Sequence, residues 1–181
     1  MQLDVFPKKH VFLGLFLFAA GCGFSIAAEL PLGRVSCGTP KSVHDGDTFR
    51  YLSGEKNFPV RVAGIDAPET GQAFWRVSRD MLRSQLAQGS LVDCYKVDEK
   101  YSRQVCRVTT SEWHDIALEL VRTGLAWHTV KYRDEQTPHE QERYSAAEAS
   151  ARVRSLGLWS LPDPQEPEEC RALKKQRVKC R

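Results

Sequence analysis

Residues 60–70 read VRVAGIDAPET, and this stretch joins a strand pattern to a stiffened turn. Its Ala-Pro pair cannot be helical, because proline restricts both its own backbone and that of the residue before it. The turn holds two carboxylates, Asp66 and Glu69, three residues apart. They are either the acids of an ordinary soluble turn, or a chemical pair in which one binds a cation and the other handles a water.

Strand and helix patterns extend outward from this stretch. The segments SVHDGDTFRYLSG and KNFPVRVAG before it are rich in β-formers and broken by turn residues. After it, apolar residues recur at helical spacing from Phe74 to Leu86, and Gly89 can end that helix. Two more strands, SLVDCYKV and RQVCRVTT, flank the loop DEKYS.

Two further helices complete the pattern. One is predicted over residues 116–123, with Gly124 as its stop. The other begins at Thr137 with a capping-box signature and runs to Gly157. Five short strands with three packed helices predict an α+β fold, a small barrel of the OB type, which is an architecture that often binds oligonucleotides.

The chain of 181 residues suggests one domain with extensions at both ends. Residues 1–28 combine a basic start with a charge-free run from Val11 to Ala28. We favour a cleaved signal peptide, with an uncleaved membrane anchor as the second reading and lipoprotein processing at Cys22 as the third. Each reading exports the protein to the periplasm or the medium. The predicted domain spans residues 29–161.

Cysteine usage fits export, since oxidising compartments favour disulfides. The chain holds six cysteines and no CxxC pair, which argues against a zinc or thioredoxin-like site. Cys94 and Cys106 lie on the two strands around DEKYS, and we predict that they form a disulfide. Pairing of Cys170 with Cys180, or of Cys37 with the C-terminal tail, stays open.

The last twenty residues, 162–181, form a Pro- and Glu-rich linker followed by a basic tail. The linker composition predicts extended chain. The tail from Arg171 to Arg181 holds six Lys or Arg and no acid, although the whole chain has a net charge of only +3. The tail could track nucleic acid or an anionic envelope surface. A disordered solubilising end is the reading we favour.

Other charged residues extend the candidate site. Asp47 lies in HDGDT, Arg61 precedes Asp66 by five residues, and Arg103 follows DEKYS. Carboxylates that bind a hard cation, a carboxylate that activates water and guanidinium groups for phosphate are the parts of metal-assisted phosphodiester cleavage. The alternatives are a plain hairpin turn at Asp47, a surface position for Arg61, and pairing of Arg103 with Asp98 or Glu99.

A family resemblance decides between these readings. The chain from about Ser42 to Trp159 resembles the thermonuclease, or staphylococcal-nuclease-like, family. The matching segments, in the family's order, are VHDGDTFR, VRVAGIDAPET, KYSRQVCRV, LVRTGLA, HEQERYSAAEASAR and GLWS. The resemblance covers about two-thirds of the chain and implies an OB barrel with three helices, and a nuclease that uses one Ca²⁺ ion.

The resemblance also implies roles for individual residues. Asp47, Asp66 and the backbone carbonyl of Ala67 match the calcium ligands, and Glu69 matches the carboxylate that positions or activates the water. The other matches are the phosphate-binding arginines Arg61 and Arg103, the substrate contact Tyr101, and the nucleotide-pocket aromatic Tyr132.

Three positions depart from the family pattern. Ala67 replaces a threonine, which a backbone ligand tolerates. Val130 replaces the second aromatic of the nucleotide pocket, so base stacking is expected to be weaker. Ser102 replaces a glycine, and it is strained if its φ is positive.

The resemblance implies hydrolysis of single-stranded DNA and RNA to 3′-phosphate products, and we expect the protein to be a monomer. Two alternatives stay open. One is a non-catalytic nucleic-acid-binding OB module, although every acid and both arginines are kept. The other is a role in exopolysaccharide (succinoglycan) biosynthesis, because the size, leader and cysteine pattern resemble thermonuclease-like rhizobial proteins assigned to that pathway.

Overall fold

The structure is a computed structural model, and it describes residues 34–37, 39–53, 55–112 and 114–181. The predicted leader, residues 1–28, lies outside the described residues, as does Cys22. Side-chain surroundings are described from residue 40 onward, except at residues 53, 54, 56 and 113, so the side chain of Cys37 lies outside them.

Six strands form the main sheet, in the order β1-β6-β7-β4-β3-β2. The parallel pair is β4 with β7, and the other neighbours in this sheet are antiparallel. A small second sheet pairs β5 with β8. The bounds are β1 Arg34–Cys37, β2 Thr39–Val43, β3 Thr48–Ser53, β4 Lys56–Val62, β5 Ile65–Asp66, β6 Ser90–Asp98, β7 Arg103–Thr110 and β8 Trp127–His128.

The two edges of the main sheet are joined by one length of chain. β1 and β2 are separated by a single residue, yet β1 pairs with β6 and β2 pairs with β3 at the opposite edge. Counted as one bent strand, they close the sheet into a five-stranded barrel, which removes the exposed edges. The predicted α+β, OB-like fold is confirmed.

The three predicted helices are present, and their bounds are α1 Trp75–Ala87, α2 Ile116–Arg122 and α3 Pro138–Val153. The capping box at the start of α3 is confirmed, because Glu140 N–H donates to the Thr137 hydroxyl and Glu140 Oε2 accepts from Thr137 N–H. Phe74 precedes α1 with φ 63°, a left-handed conformation that turns the chain sharply into the helix.

The barrel interior and the inner faces of α1 and α2 form one apolar core. Phe49 and Val60 from the sheet, and Leu82, Leu86 and Leu120 from the helices, are buried in it. Fully burying such a side chain stabilises the fold by about 1.5–3 kcal/mol.

The predicted disulfide between Cys94 and Cys106 is confirmed. The two residues are direct register partners on β6 and β7, so the bridge fastens these strands inside the core.

The prediction of a disordered C-terminal tail is wrong. Residues Pro167–Lys175 form a fourth helix, α4, in which Cys170 is fully buried. A second disulfide joins Cys170 to Cys180, so this pairing is confirmed and the alternative pairing of Cys37 with the tail is wrong. The linker runs extended into Glu166 (φ −64°, ψ 145°), and helical backbone begins at the next residue.

Ion pairs of Arg171 and Lys174 with Asp66 and Glu69 hold this segment against the rest of the domain, while the bridge Cys170–Cys180 closes the segment on itself.

None of the helices in the described parts of the chain is both long and apolar enough to cross a membrane.

Candidate active site

The turn after β4 is shaped by the backbone of Gly64 and by contacts to its amide. Gly64 has φ 73°, which favours glycine. Its N–H donates to Glu135 Oε2 at 3.0 Å. The chain then enters β5, whose partner β8 is the segment Trp127–His128. This pairing fixes the direction of the chain as it presents Asp66.

Asp47 connects the loop before β3 to the same turn. Its Oδ2 accepts from Ala67 N–H at 2.8 Å, and its Oδ1 accepts from the Thr48 hydroxyl at 2.8 Å. Its backbone oxygen accepts from Val62 N–H at 2.8 Å. The two sequence-predicted calcium carboxylates, Asp47 and Asp66, therefore belong to one hydrogen-bonded unit.

Gly46 allows the loop of Asp47 to lie directly on α1. A Cβ at this position would collide with the Ser78 hydroxyl and would lie 2.8 Å from the Ala67 Cβ. A larger residue would push the loop away from both the helix and the turn.

Glu69 is positioned by a buried glutamine. Gln72 is 4% exposed, and its Oε1 accepts from Glu69 N–H at 2.8 Å. Gln72 N–H donates to the Glu69 carbonyl at 2.9 Å. The Gln72 side chain also donates from Nε2 to the Gln165 carbonyl at 2.8 Å, which joins this turn to the C-terminal segment.

The acids of the site influence one another electrostatically. Burial, and then the charge of Asp47, raise the pKa of Asp45 to about 8, and the charge of Glu69 contributes. Burial also raises the pKa of Asp66, where the hydrogen bonds from Arg171 act in the opposite direction and the charge of Asp47 raises it further. Such a concentration of carboxylates favours a cation among them.

A guanidinium occupies this position. Arg171 Nη1 lies 3.0 Å from Asp66 Oδ1 and 2.9 Å from Glu69 Oε1, and its Nη2 lies 2.7 Å from Asp66 Oδ2. Lys174 Nζ lies 3.3 Å from Glu69 Oε2. These bonds, opposed by partial burial, raise the pKa of Arg171. Both oxygens of each carboxylate thus face a positive charge from α4.

The donor set suits a hard cation. Asp47 and Asp66 supply carboxylate oxygens and Ala67 a carbonyl, and oxygen ligands of this kind are those that Ca²⁺ takes. Arg171 serves as a stand-in that shows positive charge accommodated between Asp66 and Glu69. Within the described residues, no group of three or more His, Cys, Asp or Glu side chains is arranged to hold a metal ion.

Arg61 lies deep in the site rather than on the surface. Its side chain is 3% exposed, and it donates to the carbonyls of Val62 at 3.1 Å and Ile65 at 2.7 Å. Its guanidinium also pairs with Glu135 at 3.2 Å and stacks on the Tyr132 ring, 4.0 Å from the ring centroid. The charge of Asp47 helps to raise its pKa, although burial opposes this.

Arg103 and Tyr101 form a separate group at the start of β7. Arg103 Nε donates to Asp98 Oδ2 at 3.0 Å and its guanidinium lies 4.7 Å from the Tyr101 ring centroid. The pairing with Asp98 is one of the alternatives left open by the sequence. Val105, the register partner of Arg61, lies two residues further along the same strand, so Arg61 and Arg103 share a face of the sheet.

Two of the departures from the family pattern have a visible outcome. Ser102 has φ 48°, so the strain expected of a side chain at this position is present. Val130 is 66% exposed, close in the chain to the half-buried Tyr132.

Three residues that contact the predicted site were missed by the sequence reading: Glu135, Gln72 and Arg171. Glu135 and Arg171 lie far along the chain from their partners and have no local motif. The cysteines that flank the basic tail, Cys170 and Cys180, were the available signal for an ordered segment, since a short disulfide loop rarely sits on a disordered end.

Comparisons with known proteins agree with the family resemblance seen in the sequence. Residues 59–161 match the family described as Staphylococcal nuclease homologue. An uncharacterized endonuclease of Haemophilus influenzae is 31% identical over 153 residues, which cover 84% of this chain and 82% of that protein. An uncharacterized endonuclease of Escherichia coli O157:H7 is 30% identical over 160 residues, 88% of this chain and 95% of that protein. A micrococcal nuclease of Shigella flexneri is 34% identical over 131 residues, 68% of this chain and 73% of that protein.

Proposed function

This chain belongs to the staphylococcal nuclease homologues, and we propose that it is an exported, calcium-dependent member that cleaves single-stranded DNA and RNA. Its membership makes it a nuclease, a hydrolase of phosphodiester bonds. The metal, the form of nucleic acid and the compartment are our proposal. The non-catalytic module considered from the sequence is not supported, because this chain retains every acid and both arginines of the family pattern.

One observation carries the proposal for the cation. The side chains of Asp66 and Glu69 converge on a single positive group, Arg171 Nη1, at 3.0 and 2.9 Å. Asp47 is tied to the same turn through Ala67 N–H. Carboxylates that meet around a positive charge in this way have the chemistry of a calcium site.

The acids of the site have different roles in this proposal. Asp47 and Asp66, with the Ala67 carbonyl, would hold the ion. The chemistry supplied at this position would be that of a Lewis acid for the phosphate. Glu69, held by Gln72 at the end of the turn, orients the attacking water and accepts its proton.

The arginines contribute hydrogen bonds to the phosphate. A guanidinium carries five N–H donors, and the bonds of Arg61 to Val62, Ile65 and Glu135 use three of them. Its remaining donors and the charge of Arg103 stabilise the oxygens that gain charge in the transition state, where one good donor contributes about 3 kcal/mol. Because hydrogen bonds to the Val62 and Ile65 carbonyls fix the Arg61 guanidinium, this group needs little reorganisation when the phosphate binds.

Aromatic rings beside these arginines favour single strands as substrate. The Tyr132 ring lies against Arg61, and the exposed Tyr101 ring lies against Arg103. Unstacked bases can pack on such rings, whereas bases inside a duplex cannot. Products that end in a 3′-phosphate follow from cleavage of the 5′ P–O bond, as the resemblance implies.

Export is proposed from the leader sequence and from cysteine chemistry. The domain contains the bridges Cys94–Cys106 and Cys170–Cys180, and such bonds persist in oxidising compartments. Cell fractionation, with mass determination of the mature N-terminus, tests this. Recovery of the protein in the cytosol with its leader intact contradicts it.

The cleavage assay uses labelled single-stranded DNA, single-stranded RNA and duplex DNA, each with Ca²⁺ or with a chelator. The test variant is Glu69→Gln, and the matched control is Glu142→Gln, because Glu142 is exposed on α3. We expect calcium-dependent cleavage of single strands that is lost in Glu69→Gln and kept in Glu142→Gln. Cleavage that continues unchanged in the chelator rejects the calcium proposal, and cleavage by Glu69→Gln at the rate of the unaltered protein rejects the role of Glu69.

A further inference from the structure

The acids proposed to bind the cation and activate water are already occupied by the protein's own C-terminal helix. Arg171 takes both oxygens of Asp66 and one oxygen of Glu69. Lys174 takes the other oxygen of Glu69. In this arrangement Arg171 bonds to both oxygens of Asp66, and each oxygen of Glu69 already accepts a hydrogen bond from a cation, which makes Glu69 a weaker base toward water.

The helix that carries these cations is fastened on several sides. The bridge Cys170–Cys180 closes the chain around its end, with Cys170 next to Arg171. At its other end, the carbonyl of Gln165 accepts from the buried Gln72. Gln165 Oε1 in turn accepts from Arg181 N–H at 3.0 Å, so both ends of the segment are held together.

The segment also lies across the nucleotide side of the site. Glu168 on α4 pairs at 2.6 Å with Lys131, whose next neighbour is Tyr132. The bond from Lys131 lowers the pKa of Glu168. An ion pair therefore joins α4 to the segment that carries Tyr132, one of the two aromatic residues proposed to bind the substrate.

We propose that residues 165–181, called here the C-terminal arm, are an autoinhibitory element in which Arg171 competes with the divalent cation for Asp66 and Glu69. The arm holds the site closed at low calcium, and calcium displaces Arg171 and Lys174 before substrate can enter. This inference rests on the proposed function, because the cation and the arm share the same carboxylates.

Arg171 and a divalent cation cannot occupy the site at the same time. A bidentate guanidinium and a metal ion both need the carboxylate oxygens of Asp66. The pairing is strong because it is charge-assisted, but Arg171 remains 31% exposed, so water and ions can reach it. With a competitor of this kind, the apparent affinity for the cation equals the intrinsic affinity multiplied by the fraction of molecules in which the arm is released.

Calorimetric titration with Ca²⁺, in the absence of nucleic acid, measures the competition directly. The variants are Arg171→Ala, which removes the competitor, and Cys180→Ser, which opens the bridge behind it. The matched control is Lys175→Ala, which removes the same charge from the same helix, where the side chain is exposed. We expect Arg171→Ala to bind calcium about tenfold more tightly or better, because it no longer breaks charge-assisted hydrogen bonds on binding.

We expect Cys180→Ser to shift the affinity in the same direction by a smaller factor, and Lys175→Ala to bind like the unaltered protein. Hydrogen exchange provides the second readout. Calcium should speed exchange of the amides of α4 in the unaltered protein, while the amides of β6 and β7 stay protected. A circular dichroism spectrum equal to that of the unaltered protein shows that each variant is folded.

The outcomes separate this inference from the proposed function. Equal calcium affinity in the unaltered protein and in Arg171→Ala overturns the arm as a competitor and leaves the calcium site standing. Slower cleavage by Arg171→Ala at saturating calcium, with unchanged affinity, also overturns it and makes Arg171 a substrate-binding residue. Absence of calcium binding in both proteins overturns the calcium site and the arm together.

Discussion

Arg61 and Glu135 lie 74 positions apart in the chain and meet inside the domain, with 3.2 Å between Nη1 and Oε2 and each side chain 3% exposed. Glu135 Oε2 also accepts from Gly64 N–H. One buried carboxylate thus holds both the arginine and the backbone of the turn that presents Asp66.

Replacing Glu135 by alanine should destabilise the fold more than any surface change. Arg61 would remain buried without its partner, and the Gly64 amide would lose its acceptor. Breaking a buried pair on one side typically costs about 3–5 kcal/mol. Urea denaturation of Glu135→Ala gives the free energy of unfolding.

The neighbouring residue provides the control for this change. Asp134 pairs with Lys96 at 2.8 Å, but its side chain is 68% exposed. An exposed pair contributes about 1 kcal/mol or less. If Asp134→Ala and Glu135→Ala lose equal stability, the buried pair does not have the structural importance assigned to it.

Gln72→Ala should loosen the turn of Glu69 and the C-terminal arm together. The change removes the acceptor of Glu69 N–H and the donor to the Gln165 carbonyl. A buried polar group left without a partner costs about 1–3 kcal/mol. Hydrogen exchange should show faster exchange at both Glu69 and α4.

Gln88→Ala serves as the comparison for Gln72→Ala, because Gln88 is exposed just after α1. It should leave exchange in the arm as it is in the unaltered protein. Faster exchange at Glu69 with no change in α4 would mean that Gln72 does not link the two segments.

Glu140 should make the stability of the domain depend on pH. Burial raises its pKa, but the hydrogen bonds from Arg107 at 2.7 Å and from Thr137 N–H outweigh this, so the pKa lies below its ordinary value of 4.5. A carboxyl whose pKa is lower in the folded protein adds stability above the unfolded pKa, and this stability is lost as the pH falls through the folded pKa.

Glu140→Gln should therefore lower the free energy of unfolding at neutral pH and make progressively less difference in acid. Urea denaturation across this range measures the effect, and Glu142→Gln, which changes an exposed side chain on the same helix, is the control. A constant difference between Glu140→Gln and the unaltered protein at every pH contradicts the assignment.

Local signals in the sequence were enough for the strands and helices, and the family resemblance supported their closure into a barrel. The capping box at Thr137 depends on residues three apart, and the strands of Cys94 and Cys106 are joined by a short loop, so their pairing needs no knowledge of distant contacts. The carboxylates of the turn at Asp66 stand out by their spacing, but their roles were assigned by the resemblance to the family and not by the spacing.

Long-range contacts account for what the sequence did not predict. Arg171 and Asp66 are 105 positions apart. A basic tail after a Pro-rich linker has the composition of a disordered end, yet the acidic site and the bridge Cys170–Cys180 order it. The composition of the tail indicates disorder, whereas its ion pairs with the acidic site order it. These ion pairs can be recognised only in the tertiary structure.

Adding an aromatic ring at Val130 should strengthen substrate binding. Arg61 covers one face of the Tyr132 ring, and the exposed Val130 supplies no second ring for a base. Stacking one base on an aromatic side chain contributes about 1–3 kcal/mol. We therefore expect Val130→Tyr to lower the Kd for a single-stranded oligonucleotide about fivefold or more.

The binding measurement uses fluorescence anisotropy with calcium present, and every protein carries Glu69→Gln so that the oligonucleotide stays intact. Val153→Tyr is the matched control, because Val153 is 87% exposed at the end of α3, a different element from that of Val130. Tighter binding by Val130→Tyr alone supports a pocket beside Tyr132. Equal effects of the two substitutions would show that the added ring acts anywhere on the surface, and the pocket would have to lie elsewhere.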